Sequence, residues 1–407
     1  MKKLLAIIGT ASLTATMSAT IVSCKGPDEL KIVFIPSKNS VGLLETVRPI
    51  ENKLQAELEQ RYQKNQQQFK KKVKVSVSTS PEAAGQALEA GKAHIAFLPV
   101  GTYNTYKGKP IDGSNSFDKV GVLLQSSRAG VNTEIKYFEN NHNQKAEINS
   151  KDSWEVAKQY NQDMAVKSGD TFSREKWRKK YQSEDKTQDA SYYRSYIFAN
   201  NEFLKSKEYD LNNFKNETEY VEATKELLLN NDFTLAKSRT SSAGSLYPLI
   251  WMKSTLGMSN DEIQKVFKNS KTQNDYLDAA LKTSTNALQF GTGFADIRYD
   301  NLTEEQSEQA FSKTQVIGIS NAIINDGIMY SKKALNDQEL IYNLRESFKT
   351  LISKSENSKI FDVYNHTGYV GPQSQEASKE WENTLDKNIT ETQKQAEDMA
   401  DLIKSWI

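Results

Sequence analysis

A run of small hydroxyl-bearing residues is the stretch of this sequence with the clearest chemistry. It spans residues 238–245, after the apolar segment 233–236 and before a helical pattern that starts at Leu246. The first N–H groups of a helix lack partners, and the helix dipole favours negative charge there. Charge-assisted hydrogen bonds of about 1.5–3 kcal/mol each could hold a phosphate without a dedicated lysine. The predicted anion-binding residues are Thr240, Ser241, Ser242, Ala243, Gly244 and Ser245.

Other chemistries have little support in the residues. A single serine would suffice to cap the helix, so four hydroxyls and a glycine within six residues favour a binding loop. No Gly-Lys-Ser/Thr follows at the spacing of a nucleotide P-loop. His94, His142 and His366 show no metal-binding spacing, and no carboxylate pair suggests a reaction. We therefore predict a binding protein without a cofactor rather than an enzyme.

The first hundred residues predict the elements of a parallel α/β sheet. An apolar run at 31–36 and an alternating pattern at 73–77 are typical of strands, as is the segment 94–98. Helical patterns separate them, one with Pro49 in its first turn and one capped by Ser80. Ligands bind at the carboxyl ends of such strands, which makes Ser37 and Asn39 candidate contacts.

A second α/β unit follows a charged, amide-rich stretch. Strand patterns at 192–198 and 233–236 precede helices at 246–256 and 261–267, and the segments 316–320 and 327–330 are predicted to return to the first sheet. Two α/β lobes joined by two crossing segments would enclose a cleft. The predicted boundaries are 24–125 with 320–407 for lobe I, 191–319 for lobe II and 126–190 for a helical insertion packed on the domain.

The start of the chain predicts export and a lipid anchor. Lys2 and Lys3 precede an apolar stretch that ends in Ile-Val-Ser-Cys at Cys24, which resembles the lipobox of bacterial lipoproteins. Residues 1–23 are thus a predicted signal peptide, and acyl chains on Cys24 would hold the chain on the extracellular face of the cell membrane. Cys24 is the only cysteine, which excludes intrachain disulfides. With 53 basic and 52 acidic residues, nothing indicates nucleic acid as a partner.

Several motifs occur in the order found in the phosphonate- and phosphate-binding proteins of ABC importers. They are a first strand ending in Pro36, a Gly-x-x-x-Ile-Ala-Phe segment at 91–97, Tyr-Arg-Ser at 193–195, the serine run and Gly-x-x-Asp at 293–296. The sequence resembles that family over nearly its whole length apart from the insertion. The resemblance implies a type II periplasmic-binding fold, which agrees with the two predicted lobes, and an ABC permease as partner.

Within that family the chain resembles the thiamine-binding lipoproteins of wall-less bacteria. Its length, the predicted lipid anchor, the insertion and the segment 363–369 carry this likeness. The resemblance implies thiamine or thiamine pyrophosphate as ligand, whose rings would need aromatic faces and a carboxylate. Candidates at predicted cleft positions are Tyr103, Tyr193, Trp251, Tyr299 and Tyr364, with Asp296 and Asp300 as carboxylates. A phosphonate or phosphate receptor, a thiamine-pyrimidine synthesis enzyme of the same fold, and an adhesin that uses the insertion are the alternatives.

Overall fold

The structure, a computed structural model, describes residues 29–35, 42–138, 147–239, 241–294, 296–299, 302–364 and 366–406. Its strands are β1 (Glu29–Phe34), β2 (Lys72–Val77), β3 (Ile95–Leu98), β4 (Val120–Ser127), β5 (Tyr192–Asn200), β6 (Thr234–Ala236), β7 (Lys271–Gln273), β8 (Phe290–Phe294), β9 (Thr314–Ile324), β10 (Gly327–Ser331) and β11 (Gly368–Val370). Its helices are α1 (Leu43–Val47), α2 (Ile50–Lys64), α3 (Pro81–Glu89), α4 (Val100–Tyr106), α5 (Asn132–Phe138), α6 (Ser150–Met164), α7 (Arg174–Tyr181), α8 (Asn201–Ser206), α9 (Glu217–Leu229), α10 (Tyr247–Ile250), α11 (Asn260–Lys268), α12 (Tyr276–Ser284), α13 (Glu304–Lys313), α14 (Gln338–Ser353), α15 (Ser358–Phe361) and α16 (Ser378–Lys404).

Lobe I is built on a six-stranded sheet in the order β11-β4-β10-β3-β1-β2. β1 pairs in parallel with both β2 and β3, as the sequence predicts, and β10 runs antiparallel between β3 and β4. Ser80 accepts a hydrogen bond from the Ala83 N–H at the start of α3, and Gly91 turns the chain toward β3 with a φ of +74°. These local signals agree with the packing of β1 and β3, whose side chains are mostly buried.

Lobe II contains a three-stranded sheet in the order β8-β5-β9 and a small parallel pair of β6 and β7. β9 pairs along β5, from Tyr192 opposite Ile324 to Asn200 opposite Thr314. The prediction that 316–320 returns to the first sheet is therefore wrong, and the predicted boundary at 320 cuts through β9. Gly318 on β9 faces Trp251, and a Cβ there would lie 2.3 Å from the ring, so this strand fits the core of lobe II only with glycine.

Two short segments connect the lobes. Residues 128–131 lead from β4 to α5, and residues 325 and 326 lead from β9 to β10. The two crossings are joined directly, because the Ser126 N–H donates to the Asp326 carbonyl at 2.9 Å and the Asn325 amide donates to the Ser126 carbonyl at 3.1 Å. The long helix α16 also spans both lobes, since Leu385 packs in the lobe I core and Met399 in that of lobe II. The predicted assignment of 320–407 to lobe I therefore fails for the last turns of α16.

The predicted insertion is helical and belongs to the core of lobe II. Helices α5 to α7 follow the first crossing, and α6 packs along β9. Trp154, Tyr160 and Trp177 are buried in the same cluster as Ile197 and Phe198 of β5. Their helical spacing thus reflects packing against the sheet. Ser126 and Ser127, by contrast, are the last residues of β4 in lobe I.

Within the part of the chain that the structure describes, no helix combines the length and the apolar character needed to cross a bilayer.

Candidate functional site

A cavity of about 410 Å³ lies where the first crossing segment meets lobe II, and we call it the hinge cavity. Its volume is within the range of small-molecule sites. Its lining includes all four residues of the first crossing segment and one residue of the loop before β11. Its lining residues are Arg128, Ala129, Gly130, Val131, Glu134, Tyr181, Gln182, Ala190, Tyr192, Tyr193, Arg194, Tyr276, Phe294, Asp296, Tyr299 and Thr367.

Aromatic rings form much of the wall. Tyr193 extends from β5 and is half-buried, and Tyr276 at the start of α12 packs edge-on against Phe294 with 4.9 Å between ring centroids. On the insertion side, the rings of Tyr181 and Tyr299 lie 6.5 Å apart. Burial raises the pKa of Tyr193 and that of Tyr276, so both phenols stay neutral. Such a wall can stack on flat rings and attract a cationic one.

The two carboxylates of the cavity are already occupied by protein partners. Glu134 accepts hydrogen bonds from Arg194 Nε at 3.0 Å and from the Tyr196 hydroxyl at 2.6 Å. Asp296 accepts from Arg298 Nη2 at 2.9 Å and from Arg298 Nε at 3.1 Å, and the Tyr160 hydroxyl also donates to it. A carboxylate offers about four acceptor positions, so Asp296 has little left for a ligand. Its predicted role as a contact for the pyrimidine or the positive ring does not fit this arrangement.

Arg128 is different, because its charge has no paired carboxylate. Among the residues that the structure describes, no acidic group lies within ion-pair distance of its guanidinium, and its buried Nε has no hydrogen-bond partner. Its Cζ lies 5.3 Å from the centroid of the Tyr193 ring. The side chain of Asp326 is exposed nearby. The pKa of its carboxyl is raised overall, because desolvation in the cleft outweighs the lowering effects of the Arg128 charge and of a hydrogen bond from the Val100 N–H. Arg128 is therefore available to an anion.

The serine loop, described at residues 238, 239 and 241–245, contacts the cavity wall through a hydrogen bond. Ser241 Oγ is 3.2 Å from the hydroxyl of Tyr276. Helical structure starts at Ser242 and continues through Ser242–Leu246, α10 and Trp251–Thr255. Of the described residues, none offers a backbone acceptor to the N–H groups of Ser242, Ala243 and Gly244. These three N–H groups thus lack a described backbone acceptor, and of the three residues Ser242 is partly exposed while Ala243 and Gly244 are buried.

Buried hydroxyl groups hold the serine loop from behind. Ser195 Oγ donates to the Ala243 carbonyl at 2.6 Å, and Thr292 Oγ1 donates to the Gly244 carbonyl at 2.9 Å. Gly244 is required by space, because a Cβ there would lie 2.6 Å from that of Ala236. Ser245 is fully buried and donates to the Ser238 carbonyl at 3.1 Å, so its hydroxyl is used within the loop. Ser241 and Ser242 remain the partly exposed hydroxyls of the loop.

Two predicted aromatic contacts lie in the cores instead of the cleft. Tyr103 is fully buried on α4 and donates to Asp386 Oδ1 at 2.5 Å. Trp251 is fully buried in lobe II, where its Nε1 donates to Ser153 Oγ at 3.0 Å. Both rings pack with apolar neighbours and expose no surface to a ligand, so these two predictions do not fit the structure.

Tyr364 occupies an intermediate position. Its hydroxyl donates to the Ile35 carbonyl at 2.8 Å, at the carboxyl end of β1, and its ring stacks on Phe97 with 5.6 Å between centroids. It does not line the hinge cavity. Of the predicted contacts, Tyr193, Tyr299 and Asp296 do line it. Cys24, Ser37, Asn39, Thr240 and Asp300 lie outside the described residues.

Several residues of the hinge cavity, above all Arg128, were not predicted from the sequence. The sequence analysis placed this arginine at the start of the insertion, although it directly follows the buried strand β4. The carboxyl end of a strand in an α/β sheet is where ligand contacts are expected, so that position was a usable signal. Tyr192 and Tyr276 carried no comparable signal, because aromatic residues make up 10% of the chain and most pack in cores.

His366 lies close to the cavity and predicts a pH dependence of stability. Burial and the positive charge of Arg128 lower its pKa to about 3, from an ordinary value of 6.5. Below pH 6.5 the unfolded chain therefore binds a proton that the folded chain refuses, and stability falls as the pH falls. We expect this residue alone to remove about 2 kcal/mol between pH 7 and pH 5.

Denaturant unfolding at both pH values would measure this effect. The His366→Asn variant should lose less stability than the parent between pH 7 and pH 5, by about 2 kcal/mol. Burial raises the pKa of Asp386 to about 6, so this residue makes the folded protein more stable as the pH falls. The effect is the same in both proteins and cancels in the comparison. An identical loss in the two proteins would show that His366 titrates normally in the folded state.

No group of three or more His, Cys, Asp and Glu side chains suited to a metal ion occurs in the described part of the chain.

Comparison with known proteins agrees with the resemblance drawn from the motifs. Residues 178–377 match the family model described as the periplasmic substrate-binding protein of the phosphonate ABC transporter. This stretch includes β5, the serine loop and the second crossing, and the match confirms the resemblance. A search of curated protein sequences gave no match.

A solved structure supports the two-lobed fold. Mh-p37 of Mycoplasma hyorhinis, described as a proposed thiamine pyrophosphate transporter, is 13% identical to this chain, with a TM-score of 0.60 over 90% of this chain and 100% of that one. PhnD1 of Prochlorococcus marinus, solved in complex with methylphosphonate, is also 13% identical, and the match covers 91% of this chain and 100% of that one. Its TM-score of 0.44 is too low to carry an argument. At such identities the likeness to Mh-p37 shows the fold alone, and it confirms the predicted periplasmic-binding architecture.

Proposed function

Since the chain is a substrate-binding protein of the phosphonate ABC-transporter family, we propose that it captures thiamine pyrophosphate or thiamine in the hinge cavity and delivers it to an ABC permease. The observation that carries this proposal is that Arg128, at a cavity walled by tyrosines, has no paired carboxylate among the residues that the structure describes. A ligand that combines flat rings with an anionic group would use both the tyrosine wall and Arg128. The phosphorylated form uses the site more fully than thiamine does.

Each part of the ligand has a chemical counterpart in the site. The pyrimidine and the cationic thiazolium can stack on Tyr193, Tyr276 and Tyr299, with cation–π attraction of about 0.5–2 kcal/mol. The pyrophosphate can meet the Arg128 guanidinium and the free N–H groups that begin at Ser242. This arrangement divides the ligand between a ring-binding wall and an anion-binding end.

The position of the cavity supports capture by closure of the lobes. Arg128 belongs to one crossing segment, and Asp326, whose pKa its charge lowers, belongs to the other. A ligand that contacts both segments stabilises one relative arrangement of the lobes, which is how two-domain receptors close around a solute. A permease can then distinguish loaded from empty receptor by that arrangement.

A lipid anchor on Cys24 is also part of the proposal. The family acts outside the cytoplasm, and the described chain begins at Glu29, five residues after Cys24. A short tether of this kind would keep the receptor beside its permease. Mass measurement of the protein from bacterial membranes should show a diacylglycerol-modified Cys24 at the amino terminus, and an unmodified start would contradict the anchor.

A receptor for simple phosphonates is the second candidate, and the description of the family model favours it. A small phosphonate would use Arg128 and the serine loop but would leave the tyrosine wall without a partner. The adhesin alternative has lost its motivation, because the insertion aromatics Trp154, Tyr160 and Trp177 are buried in the core of lobe II.

Titration calorimetry with thiamine pyrophosphate, thiamine, methylphosphonate and inorganic phosphate separates these candidates. We expect thiamine pyrophosphate to bind most tightly, with a Kd of about 1 μM or lower. Thiamine should bind at least about tenfold more weakly, because it lacks the anionic group. Methylphosphonate binding more tightly than either thiamine species would favour the second candidate and contradict the first.

A further inference from the structure

Exposed lysines are concentrated at the amino edge of the lobe I sheet, opposite the edge that faces the hinge cavity. The parallel strands β1, β2 and β3 all start there, and Glu29 is the register partner of Lys72. The antiparallel strand β10 ends there, where the Ser331 N–H donates to the His94 carbonyl at 3.0 Å. The side chain of Lys333 then approaches Gly91. The lysine surface consists of Lys70, Lys72, Lys92 and Lys333, all exposed.

The positive charge of this surface is not neutralised locally. In the described ranges, none of its four lysines lies within ion-pair distance of a carboxylate. Glu29, the register partner of Lys72, is already paired with Lys31 at 3.8 Å, and Glu89, three residues before Lys92, is paired with Lys119 at 2.6 Å. The pKa of His94 agrees with positive charge at this edge, because it is lowered to about 4 by burial and by the charges of Lys71 and Lys31. The four lysines therefore carry positive charge that no ion pair with a described residue neutralises.

The tether places this edge close to the bilayer. Four residues lie between Cys24 and Glu29, and the five steps from one residue to the next span at most about 3.6 Å each, or about 18 Å in all. Electrostatic attraction to anionic lipid acts within about one Debye length, 8–10 Å at physiological ionic strength. Slight slack in the tether thus brings the lysines within reach of the headgroups.

We propose that the lysine surface docks on anionic lipid headgroups of the membrane that carries the anchor. This inference rests on the anchor at Cys24 in the proposed function, and it is independent of the ligand. Docking would orient the receptor, because the cavity lies beyond the carboxyl end of β4, at the edge of the sheet where β1 and β3 also end. The hinge cavity would then point away from the bilayer and stay open to the medium.

Lysine acetylation of the lipidated protein tests this docking. The protein is reconstituted in vesicles of phosphatidylcholine, with or without about 30% phosphatidylglycerol. Acetylation of Lys70, Lys72, Lys92 and Lys333 by an amine-reactive ester is then followed by peptide mass spectrometry. We expect these residues to react about five- to tenfold more slowly on the anionic vesicles, and about 0.5 M salt should abolish the difference. Equal rates on both vesicles would overturn the proposal.

Two charge-reversal variants complete the experiment. One replaces the four residues of the lysine surface by Glu, and the matched control replaces four exposed residues of lobe II by Glu. The control set is Lys205, Lys253, Lys265 and Lys268. Acetylation of Lys31 and Lys74, near the edge, should be slowed by anionic vesicles in the control variant and not in the edge variant. Equal slowing in both variants would contradict a role for these lysines.

The proposed function is tested apart from docking. Both variants should bind thiamine pyrophosphate with the parent affinity, because their lysines lie outside the hinge cavity. Loss of docking with retained ligand binding separates the lysine surface from the binding site. An unmodified Cys24 with retained ligand binding would remove the basis for docking and leave solute capture in place.

Discussion

The Arg128→Ala variant is expected to bind thiamine pyrophosphate about 10- to 150-fold more weakly than the parent. This range corresponds to a hydrogen bond to a charged group, which contributes about 1.5–3 kcal/mol. The reason for a large effect is that Arg128 has no paired carboxylate among the described residues. Its guanidinium is thus free to serve the phosphate. Thiamine, which lacks the pyrophosphate, should lose less than about threefold.

Titration calorimetry with both ligands measures this difference. Arg128→Lys keeps the charge but not the planar fork, so its affinity should lie between those of the parent and the alanine variant. Arg48→Ala removes an exposed arginine of lobe I and should leave both affinities unchanged. An equal loss for the two ligands would show that Arg128 supports the shape of the site rather than the phosphate. An unchanged affinity for thiamine pyrophosphate would contradict the proposed anion contact.

The Arg298→Ala variant is expected to lose about 3–5 kcal/mol of unfolding free energy. Asp296 and Arg298 form an ion pair at 2.9 Å in which both side chains are almost completely buried. Removal of the guanidinium leaves a buried carboxylate with the Tyr160 hydroxyl and the backbone N–H of residue 298 as its remaining partners. Breaking a buried pair on one side costs more than replacing both members, because the remaining charge stays desolvated.

Urea unfolding followed by tryptophan fluorescence measures this loss. The double variant Asp296→Asn with Arg298→Met removes both charges and should recover most of the lost stability. Lys404→Ala breaks an exposed pair with Asp401 and should cost less than about 0.5 kcal/mol. A loss of similar size in Arg298→Ala and Lys404→Ala would show that burial does not decide the strength of the pair at 296 and 298.

Local patterns were enough to predict lobe I, because each strand there carries its own signal. β1 and β3 are continuous apolar runs, and Ser80 and Gly91 bound the helix between them. The sheet to which a strand belongs is not a local property. β9 and β10 are separated by only residues 325 and 326, yet they pair in different lobes. The sequence analysis assigned both to the first sheet for this reason.

The candidate site was less predictable than the fold. An aromatic residue looks the same in sequence whether it packs or binds, so Tyr103 and Trp251 were proposed together with Tyr193. Arg128 is a candidate anion contact because no described carboxylate pairs with its guanidinium. The sequence alone does not show which groups surround a side chain. Asp296 shows the converse, because Arg298, two residues along the chain, neutralises the carboxylate proposed for the ligand.

Native mass spectrometry of the purified protein tests the central claim most directly. The protein is released gently from bacterial membranes, and the mass of any retained small molecule is measured and then identified by fragmentation. We predict one thiamine species per chain, with thiamine pyrophosphate as the main form, and its loss in the Arg128→Ala variant. A phosphonate or inorganic phosphate as the retained ligand, or no bound molecule together with no response to added thiamine species, would contradict the account.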